Sequence, residues 1–410
     1  MNLLLNSKVG AAVLAIGASV AVAACGSSSS SNTNTSTTAS TGASQSAPTS
    51  ISAESFTNDF TAMAQLKSLA AEGKGKIAAI MPDTTSSTRY VEFDQPDLKR
   101  AALAAGLSSS DVTVENALGS DQTFLTDAES AITNGASVLL IDPEDSGTGL
   151  QVENYAAKHG VAVINYDRLT LGGPADYYVS FNNVQVGRLI GQGFVSCVKS
   201  WGVKHPNVIM MRGDPTDNNA SLFYEGYYND VLAQYFKDGK YTLVANTAGT
   251  WEPPTAQTEF EQAYTAHPNA NSAVIPNDEN GAPIITYLKS HGVKPNTFPT
   301  TGQDATLVGL QNILTGYQCG TVYKPVYKEA QAAIALALYL RAKKAPPNGL
   351  VNGTTTDPKN GKSVPSVLLT PTWVTPQNMK STIVADSFVP TSQLCSGAAK
   401  TACAKYGISS

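Results

Sequence analysis

From Lys76 onward, short apolar runs alternate with segments whose apolar residues recur at helical spacing. "KIAAIMP" (76–82) is followed by a helix expected over 95–105, then by "VTVENAL" (112–118) and a helix over 125–134. "SVLLID" (137–142), a helix over 149–158 and "VAVINYD" (161–167) complete a first unit. Near-continuous apolar strands separated by helices read as a parallel sheet covered on both faces. Right-handed crossovers then bring every strand's C-terminal end to one edge. After "YYVSFNN" (177–183) the pattern restarts with helices expected over 184–199, 220–237, 256–266 and 282–291. They alternate with the strands "NVIMMRG" (207–213), "YTLVANT" (241–247), "SAVIPND" (272–278) and "FPTTGQD" (298–304), before "GTVYKP" (320–325). Ligands bind at the carboxyl edges of such doubly wound sheets. Two units facing each other make a cleft.

Residues with chemistry stand at those edges. Arg89 and Tyr90 follow the first strand, and Asp167 and Arg168 the fourth. Asp217, Asn218 and Asn219 follow "VIMMRG", Trp251 follows "LVANT", and Asn277 and Asp278 follow "SAVIP". Asp304 ends "FPTTGQD", and Lys324 follows "GTVY". Asp and Asn in such places have a simpler explanation, because both cap a following helix. Arg89, Trp251 and Lys324 are not cap residues, and seven strand ends carrying long polar or aromatic groups exceed what capping needs. Planar Asp, Asn and Arg groups can each hold two hydroxyls, and ionised partners roughly double the strength of a hydrogen bond. Tyr90 and Trp251 add flat faces for the C–H side of a sugar ring. Both signs of charge are present, and no glycine-rich phosphate loop follows a strand, which speaks against a nucleotide. The chemistry fits a neutral polyol.

Composition and charge change this picture only at the edges. A net charge of -5 leaves no basic footprint for nucleic acid, and 410 residues give room for two domains with non-globular additions. The N-terminus matters more. Lys8 precedes "VGAAVLAIGASVAVAA", then Cys25 and Gly26. A charged start, a small-residue apolar core and "VAAC" read as a signal peptide over 1–24 ending in a lipobox. The mature chain is expected to begin at Cys25, lipidated, outside the cytoplasm and anchored to the cell membrane. Residues 25–55 read as a Ser/Thr-rich tether, since 26–50 offer no large apolar group to bury. No later run reaches the roughly 18 apolar residues of a membrane span.

Cysteines 197, 319, 395 and 403 remain. Outside the cytoplasm an even count favours disulfides over metal or catalysis. Of three possible pairings, the local loop Cys395–Cys403 is preferred and leaves Cys197–Cys319. The four histidines are dispersed without ligand spacing, so neither a metal site nor a cofactor is expected.

"YDRL", "DPTDNNASLF", "GQDATLVGL", "TVYKP" and "VPSVLLTP" resemble the D-xylose-binding proteins of bacterial ABC transporters, within the type I periplasmic sugar-binding family. The resemblance spans roughly residues 75–390. It implies an α/β fold of two doubly wound Rossmann-like lobes joined by three crossovers, near 178–182, 323–325 and 369–372. The N-terminal lobe would comprise 74–179 plus 325–369, the C-terminal lobe 180–324 plus 370–390, and 391–410 a cysteine-containing tail. Carried over by motif, the sugar contacts fall on Arg89, Tyr90, Asp167, Arg168, Asn219, Trp251, Asn277, Asp304 and Lys324. The implied partners are one monosaccharide, D-xylose favoured, and an ABC transporter permease. A monomer without catalytic residues is expected. The loop "DTTSSTRY" departs from the family, with Tyr90 where Trp is common and small flanking residues. The insertion "NGTTTDPKNGKS" and the tail are additions.

Other functions are weaker. "IDPEDSG" groups Asp142, Glu144 and Asp145, as paired carboxylates of a carbohydrate-active enzyme would be, but Asp145 or Ser146 is expected to cap the next helix. No Gly-x-Ser-x-Gly elbow or His-Glu-x-x-His motif occurs. A transcription regulator would need a basic helix-turn-helix where the signal and tether stand. A sugar sensor that docks a membrane kinase would use the same binding event.

Overall fold

The computed structural model describes residues 51–408. The expected signal, Cys25 and most of the tether lie outside the described residues. The first seven strands are β1 Lys76–Met81, β2 Val112–Asn116, β3 Ala136–Ile141, β4 Ala162–Tyr166, β5 Tyr177–Phe181, β6 Asn207–Met210 and β7 Thr242–Asn246. The others are β8 Ser272–Val274, β9 Thr321–Tyr323, β10 Gly353–Thr356, β11 Ser363–Leu369 and β12 Thr372–Val374.

One sheet has the order β10-β11-β5-β4-β3-β1-β2. Its pairs are parallel except β10 with β11. The continuous apolar runs serve two cores. Ile77, Ala79, Met81, Val138 and Leu140 belong to one, and Ala78, Ile80, Leu139 and Ile141 to the other. This is the period-two alternation of a sheet covered on both faces. The alanine-rich helix Val326–Arg341 is buried along nearly all its length and packs against the helix Gln95–Ala104.

The second lobe has less sheet. β7-β6-β8 are parallel, and β12-β9 form a separate antiparallel ribbon. "FPTTGQD", expected as a strand, forms only an isolated bridge from Gln303 to Val322. Pro299 has no N–H for a ladder. The Thr301 hydroxyl replaces a ladder group, accepting from the Ile275 N–H and donating to the Ile275 carbonyl, both at 2.8 Å. The segment still runs between β8 and β9, through Ala273 N–H to the Pro299 carbonyl (2.9 Å) and Val322 N–H to the Gly302 carbonyl (3.1 Å).

Several boundaries differ from the apolar pattern. Helices begin at Asp121, Ser146 and Asp278, earlier than expected, because their first turns are polar and capped by Ser120, Asp145 and Asn277. The helix expected over 220–237 comes in three pieces: Asn218–Tyr224, wide π-type turns over Glu225–Leu232, and Ala233–Lys237. It lies backbone to backbone on the helix Asn183–Ser200, where a Cβ on Gly187 would come within 2.2 Å of the Phe223 carbonyl oxygen.

The folded body also starts earlier than residue 74. Ile51, Ala53, Phe56, Phe60, Met63, Leu66 and Leu69 are buried in the first core, so 51–55 is packed chain and not tether. β5 keeps Tyr178 to Phe181 in the first sheet, which moves that lobe's edge past 179. At the other end the tail is part of the second lobe: Leu394, Cys395, Cys403 and Ile408 pack with Leu310, Ile313 and Met379. Disulfides join Cys197 to Cys319 and Cys395 to Cys403, with Cα–Cα distances of 5.7 and 5.6 Å.

Candidate functional site

β4 ends in Tyr166, and strand alternation would send Asp167 and Arg168 to opposite faces. Asp167 instead takes a left-handed backbone, φ 57°, and Arg168 N–H turns back onto the Tyr166 carbonyl at 2.6 Å. Both side chains therefore line one cavity. Asp304 does the same after the segment 298–304, with φ 87°. Non-glycine residues rarely adopt this region, and such strain gathers where a side chain must be aimed.

All nine residues carried over by motif line this cavity between the lobes, as does Asp217, whereas Asn218 and Asp278 do not. Arg89 is the most constrained. Its Nε and Nη2 donate to Asp94 at 2.8 and 2.7 Å, Nη2 also to Glu329 at 2.6 Å, and Nη1 to Asp167 at 3.0 Å. Burial alone would lower its proton affinity, but Asp167, Asp94 and Glu329 outweigh burial and hold the guanidinium charged. Tyr90 donates to Asp167 at 3.1 Å and accepts from Arg168 at 3.1 Å. Its ring lies beside both guanidinium groups, 5.7 and 5.6 Å from the centroid, within cation–π range.

Asp167 and Arg168 do not pair with each other. Burial would raise the Asp167 carboxyl, but Arg89, Lys324 and Arg168 outweigh it and hold the group below its usual range. Arg168 Nε sits 3.6 Å from Asp142 and 3.7 Å from Asp217, one carboxylate from each lobe. Asp142 is fully buried, both its oxygens lack a hydrogen bond among the described residues, and burial followed by the Asp167 charge pushes its pKa far up.

From the second lobe, Asn219 donates to the Asp167 carbonyl at 2.9 Å and accepts from Asn183 at 2.8 Å. Trp251 Nε1 donates to Asp217 at 3.0 Å, and its ring meets Phe223 edge-on at 6.3 Å. Only glycine fits at 213, since a Cβ there would lie 2.2 Å from the indole. Asn277 caps its helix and donates to the Ser86 carbonyl at 3.1 Å, across the lobes. Lys324 pairs with Asp304 at 2.9 Å.

The acid cluster 142–145 does not line the cavity. Asp145 caps the helix Ser146–Lys158 by accepting from Gly147 and Thr148 N–H, at 2.6 and 3.1 Å. Sequence reasoning passed over Ser86, Ser87, Phe223 and Gln303, which also line the cavity, and Asp94 and Glu329, which clamp Arg89. The first pair sits in the loop already marked by its small residues. Nothing near Glu329 in the chain points to Arg89.

Residues 77–345 match the family model described as periplasmic binding protein domain. The chain belongs to the periplasmic binding protein family. It is 35% identical to the D-xylose-binding periplasmic protein of Escherichia coli K12 over 286 residues, 69% of this chain and 83% of that protein. It is 30% identical to the multiple sugar-binding periplasmic receptor ChvE of Rhizobium radiobacter over 343 residues, covering 79% and 93%. Among solved structures, a carbohydrate transporter solute-binding protein of Chloroflexus aurantiacus in complex with D-glucose superposes with a TM-score of 0.68. That pair shares 26% identity over 77% of this chain and 97% of the other. The fold of this periplasmic binding protein is type I, mixed α/β, and its relatives are binding proteins and not enzymes.

Proposed function

We propose that this protein is an extracytoplasmic, lipid-anchored receptor that closes its lobes on one monosaccharide, D-xylose or a close aldose, and delivers it to an ABC transporter permease. The charge balance of the cavity carries this reading. Three cations, Arg89, Arg168 and Lys324, face three carboxylates, Asp167, Asp217 and Asp304, around one small space flanked by Tyr90 and Trp251. A lining whose charges balance favours neither anions nor cations, and paired ionic groups offer hydroxyls strong donors and acceptors. One Nη1–H of Arg89 and the second Nδ2–H of Asn219 remain beyond the bonds described above. Aromatic faces complete a sugar site.

The E. coli relative's D-xylose supports a pentose, and the D-glucose of the Chloroflexus protein keeps aldohexoses within the class. Membrane anchoring rests on "VAAC" at Cys25. Thermal unfolding of the delipidated protein against pentoses, hexoses and polyols tests the ligand class. D-xylose or a close aldose is expected to raise the midpoint most; no shift with any monosaccharide contradicts the proposal. Intact mass of membrane-extracted protein tests the anchor, with a lipidated Cys25 N-terminus expected and retention of residues 1–24 contradicting it.

A further inference from the structure

The loop 86–88 of the first lobe reaches the first turn of the helix Asp278–Ser290 in the second. Ser87 Oγ lies 3.2 Å from Glu279 Oε1 and 3.1 Å from Asp304 Oδ2, and its one proton is shared between them. Thr88 donates to the same Glu279 oxygen twice, from its N–H at 2.8 Å and its hydroxyl at 3.3 Å. The Thr88 carbonyl in turn accepts from Val91 and Glu92 N–H, at 3.2 and 3.0 Å, which makes Thr88 the entry to the helical turns bearing Tyr90. The N–H groups at a helix start have no partner within the helix. Here a carboxyl group of the opposite lobe supplies one. Glu279 does not line the cavity, and its Oε2 is shut off from solvent with no hydrogen bond among the described residues.

We infer that Glu279 is a positioning residue for ligand capture: it caps, across the cleft, the first-lobe helix start that presents Arg89 and Tyr90, and it does so only when the lobes are closed. The inference rests on the monosaccharide reading above. Opening the cleft returns both the carboxyl group and the Thr88 N–H to water. Closing it buries Glu279 beside Asp304, itself paired with Lys324, and beside Asp278 of its own helix; Glu92 lines the same outer groove. Burial first, then Asp304 and Asp278, raise its proton affinity in the closed form. A group whose pKa rises on closure favours the closed form when protonated, and that contribution is lost as pH rises through the raised value.

Calorimetric titration with D-xylose below and above neutral pH tests this on the parent, Glu279→Ala, Glu279→Gln and Ser87→Ala. Glu279→Ala is expected to weaken binding about tenfold or more, and Ser87→Ala about threefold, with less than the summed loss when the two are combined. Glu279→Gln keeps an acceptor oxygen, so it should bind within about threefold of the parent and lose part of the parent's decline with rising pH. An alanine variant that binds like the parent, or a glutamine variant as weak as alanine, overturns the inference. If the parent binds no monosaccharide, the sugar reading fails and the cap is read separately. Nitroxides on Leu118→Cys and Gln262→Cys in sugar-free protein should then show a closed population that Glu279→Ala depletes. A parent without that population, or a variant equal to it, overturns the cap.

Discussion

The first lobe presents its cleft residues from the end of a seven-stranded sheet, whereas the second presents its own from three parallel strands, an isolated bridge and a two-stranded ribbon. Arg89 in the first lobe is then fixed by buried charge, held between Asp94, Asp167 and Glu329. In the second, Asn277 and Asp304 leave segments that the ladder holds only in part, and both disulfides lie there. Cys197–Cys319 ties the helix Asn183–Ser200 to the segment before β9, and Cys395–Cys403 fixes the tail that packs with the helix Leu307–Leu314. One half-site is stiffened by a sheet and an ion cluster, the other by covalent ties and side-chain hydrogen bonds such as Thr301 to Ile275.

The most damaging way to break this contrast is Arg89→Ala. It leaves buried carboxylates without their cation, which costs about 3–5 kcal/mol. Denaturant unfolding should show that loss, and calorimetry should show no sugar binding; a variant as stable as the parent would mean the cluster is not what stiffens the first lobe. Replacing Cys197 and Cys319 by serine is next, at about 2–4 kcal/mol. Amide exchange should then rise in the second lobe and stay low in β1, β3 and β4. Equal loss of protection in both lobes would erase the distinction.

Acid and base should also separate the two halves. Burial, followed by the Asp304 charge, pushes Asp278 up to about 7 despite bonds from Gln318, Thr306 and Thr321. Its contribution is complete below the ordinary carboxyl range and falls as pH rises toward that value, by up to about 1.4 kcal/mol per pH unit. Asp167 has the opposite sign. Its pKa is lowered, so its contribution holds at neutral pH and is lost only in acid. Thermal unfolding across pH should show stability declining as pH rises from the ordinary carboxyl range to about 7, less steeply in Asp278→Asn. The smallest effect is expected from Asp145→Ala, about 1 kcal/mol of helix-cap stability with sugar affinity unchanged.

The cleft was legible in the sequence to the extent that it sits at strand ends. "VAVINYD" announces both a buried strand and the charges after it, and the rule of carboxyl edges brings Asp167, Trp251 and Lys324 together without further information. What holds them was less visible. Glu329 lies 240 residues from Arg89, inside a helix whose apolar pattern gives no sign of a cavity. Glu279 reads as an ordinary first-turn acid until the lobes are folded together. "FPTTGQD" reads as a strand because its ends are placed as a strand's would be, while Pro299 and the Thr301 hydroxyl remove the ladder itself. The folded start at Ile51 follows a serine-rich run and has no preceding apolar period to mark it.

The central claim is that residues from both lobes enclose one monosaccharide, so that neither half-site suffices alone. Calorimetric titration of D-xylose into the parent, Asp167→Ala and Trp251→Ala tests it most directly, with one residue removed from each lobe. Losing a hydrogen bond to a charged group costs roughly 1.5–3 kcal/mol, so Asp167→Ala should bind at least about tenfold more weakly while the fold survives. Trp251→Ala should also weaken binding, through the lost ring face and the lost indole hydrogen bond to Asp217. If both variants bind D-xylose as the parent does, the cleft between the lobes is not the sugar site.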